Sequence, residues 1–267
     1  MKKMISAPYL VWMTVFIAVP LLMVAYFAFS GENGFTMQYV LEVGKYSGIF
    51  VRSVTLAAIA TVICLLISYP VAMILAQMDK KVQSTMLMIV MLPMWMNFLL
   101  RTYSWMTILG NNGIINTLLG YIGIGPFKML NTQGAVVLGM VYNYIPYMIL
   151  PLYSVMVKID KSVKEAAQDL GCNGIKTLQK VILPLSMPGI ISGVTMVFVP
   201  AISTFIISRM LGGGSDMLIG DLIEMQFLGT SYNPNLGAAI SLVLMVIVLI
   251  IMAIMNKFGD SDDPVLI

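Results

Sequence analysis

Apolar runs, each about as long as a bilayer is thick, follow one another along this chain with only short polar interruptions. A hydrocarbon core of ~30 Å takes ~20 residues of helix. Inside it every backbone N–H and C=O must be satisfied within the segment or by other protein. Runs over about 9–29, 51–78, 85–109, 134–157, 188–207 and 236–255 meet that length. They predict an all-α integral membrane protein with about six transmembrane helices, forming a single transmembrane domain over 1–267. With 59% of residues hydrophobic and 10% charged, the chain carries more apolar surface than a soluble domain of its size hides.

The first run follows Met1-Lys2-Lys3 and continues from Tyr9 to Phe29 with no clear small-residue cleavage site, so it reads as an uncleaved span rather than a signal peptide. The loop 31–50 reads as mixed and weakly structured, and 110–133 as too broken for a spanning helix, placing it outside the membrane or at its surface. Pro70, Pro93, Pro146, Pro151 and Pro200 fall inside the spans, where neighbouring helices make proline tolerable. Gly189 and Gly193 have the G-x-x-x-G spacing that lets two helices approach.

Basic residues set the orientation. With the N-terminus inside, Lys2, Lys3, Lys80, Lys81, the lysines of 158–180 and Lys257 lie in the cytoplasm, which is 10 of the 15 Lys and Arg. The excess predicts N-in, C-in, with the 158–187 loop cytoplasmic. Arg101 then belongs near the outer surface or beside a counter-charge, because an unpaired cation at the bilayer centre costs ~2.5–3.5 kcal/mol or more.

That loop contains the one amphipathic polar helix of the chain. Val163, Ala166, Ala167 and Leu170 recur at i, i+3, i+4, i+7, while Lys161, Lys164, Glu165 and Asp169 take the other side. Ser162 and Glu165 have capping-box spacing, and Gly171 supplies a left-handed stop. A short amphipathic helix between two spans suits a partner's groove. Gly171 to Thr177 has neither P-loop spacing nor a preceding strand, so no ATP site is expected here. The chain has no His, which removes the commonest general base and transition-metal ligand. Cys64 and Cys172 have no disulfide or metal spacing. No catalytic residue, bound cofactor or metal is expected.

Glu165-Ala166-Ala167, three residues, Gly171, nine residues, then Val181-Ile182-Leu183-Pro184 resembles the EAA motif of bacterial ABC importer permeases, with Val181 where the family usually has Ile. The resemblance implies a type I importer permease (MetI-like) fold and a coupling helix docked on a separate ATPase. Glu165, Ala166, Ala167 and Gly171 would form the docking core, with Leu183 and Pro184 shaping the return to the membrane. For Glu165 the capping and docking readings are compatible. Leu92-Pro93, Asn97 to Trp105, Asp169 to Gly171, Pro184 to Ile190, and Leu218 to Ile223 with Gln226 to Leu228 are similar to the B-type permease subunit of spermidine/putrescine importers. That similarity implies two ATPase copies holding ATP and Mg²⁺, a second, C-type permease, an extracytoplasmic polyamine-binding protein, lipid around the spans and no nucleic acid.

A polyamine path would need carboxylates, carbonyls and aromatic faces. Trp95, Asn97, Tyr103, Trp105, Asp216, Asp221 and Glu224 are the candidates for the path or for contact with the binding protein. Two bland readings stay open: the aromatics as interfacial belt residues and the acids as solvated side chains. Importers of sulfate, molybdate, ferric iron or amino-acid-like solutes share the same architecture. A secondary transporter would need intramembrane acid pairs or broken-helix repeats, and an enzyme a nucleophile–base pair; neither signature is legible.

Overall fold

A computed structural model of the chain describes residues 7–31, 34–214, 217–229 and 231–260. Helix α1 (Ala7–Met13) runs through a π turn (Thr14–Ala18) into α2 (Val19–Phe29). A two-residue ladder, β1 (Ser30–Gly31) against β2 (Gly34–Phe35), reverses the chain. Then α3 (Gln38–Glu42) and a 3₁₀ turn (Val43–Tyr46) lead into α4 (Ser47–Gln77). The 31–50 loop is thus largely folded, and the second span begins earlier than its apolar run.

Next come α5 (Lys80–Trp95), α6 (Phe98–Leu109), α7 (Ile114–Tyr121) and α8 (Gln133–Met156). The loop helix α9 (Lys161–Asp169), the short α10 (Gly174–Thr177), a π turn (Leu178–Ile182) and α11 (Leu183–Leu185) connect α8 to α12 (Met187–Ile202). The chain closes with α13 (Ile206–Gly212), α14 (Ile219–Leu228) and α15 (Pro234–Asp260).

Four helical stretches are long and apolar enough to cross a bilayer: Val11–Phe29, Gln38–Gln77, Gln133–Met156 and Pro234–Lys257. Two bent pairs, Lys80–Trp95 with Phe98–Tyr121 at 87° and Gly174–Leu185 with Met187–Ile202 at 67°, bring the number to six when each pair is one span. The continuous helix expected over 85–109 is therefore two helices, broken at Met96 and Asn97. Met96 is extended and Asn97 caps α6, its side chain accepting from the Leu99 N–H at 2.8 Å. Similarly, the helix expected over 188–207 stops at Ile202 and restarts at Ile206.

The centre of the bundle is α8, packed on α4 and α12. It is 61% buried where the first span is 6% buried, which separates core from periphery. Small residues allow this closeness. Ala57, Ala60 and Cys64 line the buried face of α4. A Cβ on Gly189 would come 3.0 Å from the Pro151 carbonyl, and one on Gly193 2.6 Å from Met148 Sδ, so the glycine pair presses α12 onto α8. On the other side α15 packs along α2.

The 110–133 segment is organised by one buried side chain. Asn116 donates to the Gly110 and Phe127 carbonyls at 3.1 and 3.0 Å, and accepts from the Phe127 N–H at 2.9 Å. The stretch between α12 and α15 is folded as well. The start of α14 lies on the α12–α13 break, where a Gly220 Cβ would meet the Ser203 and Thr204 carbonyls at 2.4 and 2.6 Å. Because those atoms are backbone, Gly220→Ala has no side chain to push aside. It is expected to destabilise the chain by ~1–3 kcal/mol, seen as a lower melting temperature in detergent than that of Gly48→Ala, where the space is open.

Candidate functional site

The loop helix is built for rigidity. After α8, Asp160 turns the chain in an extended conformation and its Oδ1 accepts from the Ser162 N–H at 3.0 Å. Asp160, not Ser162, is therefore the cap, and the helix starts one residue ahead of the box read from the sequence. The hydrogen bond from Ser162 holds the Asp160 carboxyl below the usual carboxylate range. At the other end Gly171 sits at φ +82°. Its N–H bonds the Gln168 carbonyl at 2.8 Å, and the Cys172 N–H bonds the Ala167 carbonyl at 3.0 Å. This pair of bonds is a Schellman stop.

Between those ends the helix shows one buried side chain, Ala167. Of the rest of its apolar stripe, Leu170 is 86% exposed, and Val163 and Ala166 are also exposed among the described residues. Glu165 makes no hydrogen bond or ion pair with the described residues. It lies with Lys161 and Lys164 along a 310 Å³ cleft, whose far wall is formed by Gln77 and Met156 at the ends of α4 and α8. Exposed Leu183 and Pro184 stand just ahead of the 67° bend into α12.

The other candidates are scattered, and no hydrogen bond or ring contact joins any two of them among the described residues. Trp95 and Tyr103 are open, at 77% and 54% exposure. Trp105 is half-buried, edge-on to Tyr142 at 5.4 Å. Asn97 is the α6 cap, and Asp216 lies outside the described residues. Asp221 is buried, accepting from the Ser208 hydroxyl at 2.6 Å and the Leu218 N–H at 3.0 Å. Glu224 is held by a forked ion pair, with Arg209 Nη1 donating to Oε1 at 2.9 Å and Nη2 to Oε2. Both acids thus stabilise the α13–α14 unit.

Arg101 departs most from expectation. It is 8% exposed, and its Nε and Nη1 have no hydrogen-bond partner among the described residues. The guanidinium carbon stands 5.9 Å from the Phe98 ring centroid, a distance at which the aromatic face attracts a cation. No group of three or more His, Cys, Asp or Glu able to hold a metal ion occurs among the described residues.

Residues 68–258 match the family described as binding-protein-dependent transport system inner membrane component. The chain belongs to that family. The permease is 39% identical to the spermidine/putrescine transport system permease protein PotB of Haemophilus influenzae over 88% of its own length and 86% of the relative's. To the Escherichia coli K12 protein of the same name it is 35% identical, over 88% of this chain and 90% of that one. Among solved structures it resembles a bacterial ABC transporter involved in alginate import, at a TM-score of 0.76 and 16% identity, covering 96% of this chain and 93% of the other. That likeness fixes the importer permease fold. The permease is a multi-pass inner-membrane transport subunit.

Burial raises the Asp221 carboxyl above the usual range against the two bonds that favour its anion. An acid whose folded-state pKa is raised contributes stability that is full below the unfolded value and lost as pH rises through the folded value. The melting temperature of the solubilised permease is expected to fall as pH rises through that window. Asp221→Asn should flatten the fall; an unchanged pH slope in the variant would contradict this assignment.

Proposed function

We propose that this permease forms half of the translocation path of an ATP-driven importer for polyamines such as spermidine and putrescine. The observation that carries the reading is its 39% identity, over 88% of the chain, to a permease named for those two cations. Helix α9, rigidly capped at both ends, bears Glu165, Ala166 and Ala167 and is stopped by Gly171; its exposed apolar residues Val163, Ala166 and Leu170 support the coupling half. It offers apolar contact, a free carboxylate and a preorganised shape that lowers the entropy lost on docking.

In this reading the lysine-rich end faces the cytoplasm, with the N- and C-termini on that side. Two copies of an ABC ATPase bind ATP and Mg²⁺, and one of them receives α9 in a surface groove. A second, related permease completes the path, and an extracytoplasmic polyamine-binding protein delivers substrate; lipid surrounds the spans and no nucleic acid takes part. ATP binding and hydrolysis shift the pair between outward- and inward-open forms, which needs the partner to bind one form better than the other. Leu183 and Pro184 carry the motion back into the membrane. Trp95 and Tyr103, the two uncommitted candidates, present open aromatic faces to a cation.

The test is uptake of labelled spermidine and putrescine in a strain lacking the chain and complemented with variants. Wild-type permease should restore uptake, and excess unlabelled polyamine should compete where sulfate does not. Gly171→Val puts a β-branched side chain at φ +82°, costing ~1–2 kcal/mol or more at the turn. It is expected to abolish uptake and ATPase co-purification while the chain still inserts. Normal uptake with Gly171→Val would rule out α9 as the coupling element.

A further inference from the structure

Between the loop and the bundle stands a single residue, Ser186, which joins α11 to α12 at the 67° bend. Pro184 and Pro188 flank it, each in the first turn of its own helix and neither with an N–H to donate. Ser186 is fully buried, yet all its polar atoms are engaged. Its N–H reaches the Ile182 and Leu183 carbonyls at 2.9 and 3.2 Å, and its carbonyl accepts from the Ile190 N–H at 3.0 Å. Its hydroxyl donates to the Leu183 carbonyl at 2.9 Å. A hydroxyl has one proton, so the remaining contact, 3.0 Å to the Tyr69 hydroxyl, has Tyr69 as donor.

Tyr69 is itself at a weak point. It immediately precedes Pro70 in α4, where the rung to the Leu66 carbonyl is missing. One side-chain hydrogen bond therefore ties the hinge of one proline-weakened helix to that of another, across 117 residues of sequence. A second polar tie closes the same end of the bundle. The Tyr153 hydroxyl on α8 donates to Gln83 Oε1 at 2.9 Å, and Gln83 Nε2 donates to the Met78 carbonyl at 2.8 Å in the turn between α4 and α5. Apolar packing of the glycine face already holds α12 on α8, so adhesion does not need the Tyr69 bond. Its placement fixes an axis.

We propose that Tyr69 and Ser186 are positioning residues for energy coupling. Their bond pins the α11–α12 joint to α4, so that a push on the loop swings α12 about that point instead of being absorbed as local bending. The inference rests on the coupling role given to α9 above. The experiment reconstitutes the complete importer in vesicles and reads ATP hydrolysis and spermidine import in the same sample. Wild type, Tyr69→Phe, Ser186→Ala and the double variant are compared, with ATPase co-purification as the measure of assembly.

Each single change should leave assembly and hydrolysis near the wild-type level while spermidine imported per ATP falls about two- to tenfold, the range expected from one hydrogen bond. The double variant should be no worse than Ser186→Ala, which already removes the Tyr69 bond together with the bond to the Leu183 carbonyl. An unchanged import-to-hydrolysis ratio in both single variants overturns the proposal, as does a double variant with multiplied losses. Loss of assembly in both singles also overturns it, making the bond a folding element only. A wild-type complex that hydrolyses ATP without importing spermidine overturns the functional reading, and the joint falls with it.

Discussion

In a bilayer an unsatisfied peptide group costs several kcal/mol, and this constraint governs the permease wherever its helices stop. Each interruption is matched by a specific polar side chain. At Met96 and Asn97 the donor left open is taken by Asn97 itself. At Ser186 the hydroxyl and both backbone groups close the gap. After the α12–α13 break the Ser208 hydroxyl gives its one proton to Asp221 at 2.6 Å. The start of α14 is then completed by Asp221 on the Leu218 N–H and by Ser53 on the Ile219 N–H at 2.9 Å. Buried Ser53, Ser186, Ser208 and Asp221 thus serve the helix breaks.

The same accounting gives the charges their parts. Glu224 and Arg209 neutralise each other with a forked geometry that favours arginine over lysine. Asp221 is tied into α13 and α14 as a cap. Arg101 is the exception, a buried guanidinium whose Nε and Nη1 have no hydrogen-bond partner among the described residues and which lies near the Phe98 ring. Burying a charge is costly without compensation, and here the guanidinium also lies within electrostatic range of Tyr144. A fixed positive charge there also sets a limit on where a cationic substrate can rest. Any path through this permease has to run at a distance from Arg101 or be screened from it.

The number of spans and the place of the loop helix were legible because both rest on composition and period, which survive in a single sequence. The 20-residue apolar runs and the stripe Val163–Ala166–Ala167–Leu170 are of that kind. What was not legible depends on distant partners. Pro93 and Pro200 mark where a helix can break, but the actual breaks fall three residues beyond each, where Asn97 and the Ser203–Phe205 segment make the turn. Asp221 and Glu224 read as available acids because their partners Ser208 and Arg209 lie 13 and 15 residues away in sequence. The cap of α9 moved from Ser162 to Asp160 since both residue types cap well, and only the backbone decides between them. Tyr69, in the second apolar run, and Ser186, at the end of the 158–187 loop, carried no signal of their contact, being 117 residues apart.

The contrast between the two ends of the bundle bears on how such a permease can be driven. The loop helix is closed at both ends by its own chain, since Asp160 and Gly171 complete its termini and Ala167 is buried. A stiff lever docks with little entropy lost and transmits displacement instead of folding around its partner. Downstream, the prolines at 184 and 188 concentrate compliance at one residue, while Gly189 and Gly193 make the next turns of α12 closely packed on α8. In the proposed coupling, a capped lever, the Ser186 joint and a tightly packed arm favour rotation about Ser186. On physical grounds that is a hinge rather than a shear element, because sliding α12 along α8 would drive the Met148 and Pro151 atoms into space that only the two glycines leave free.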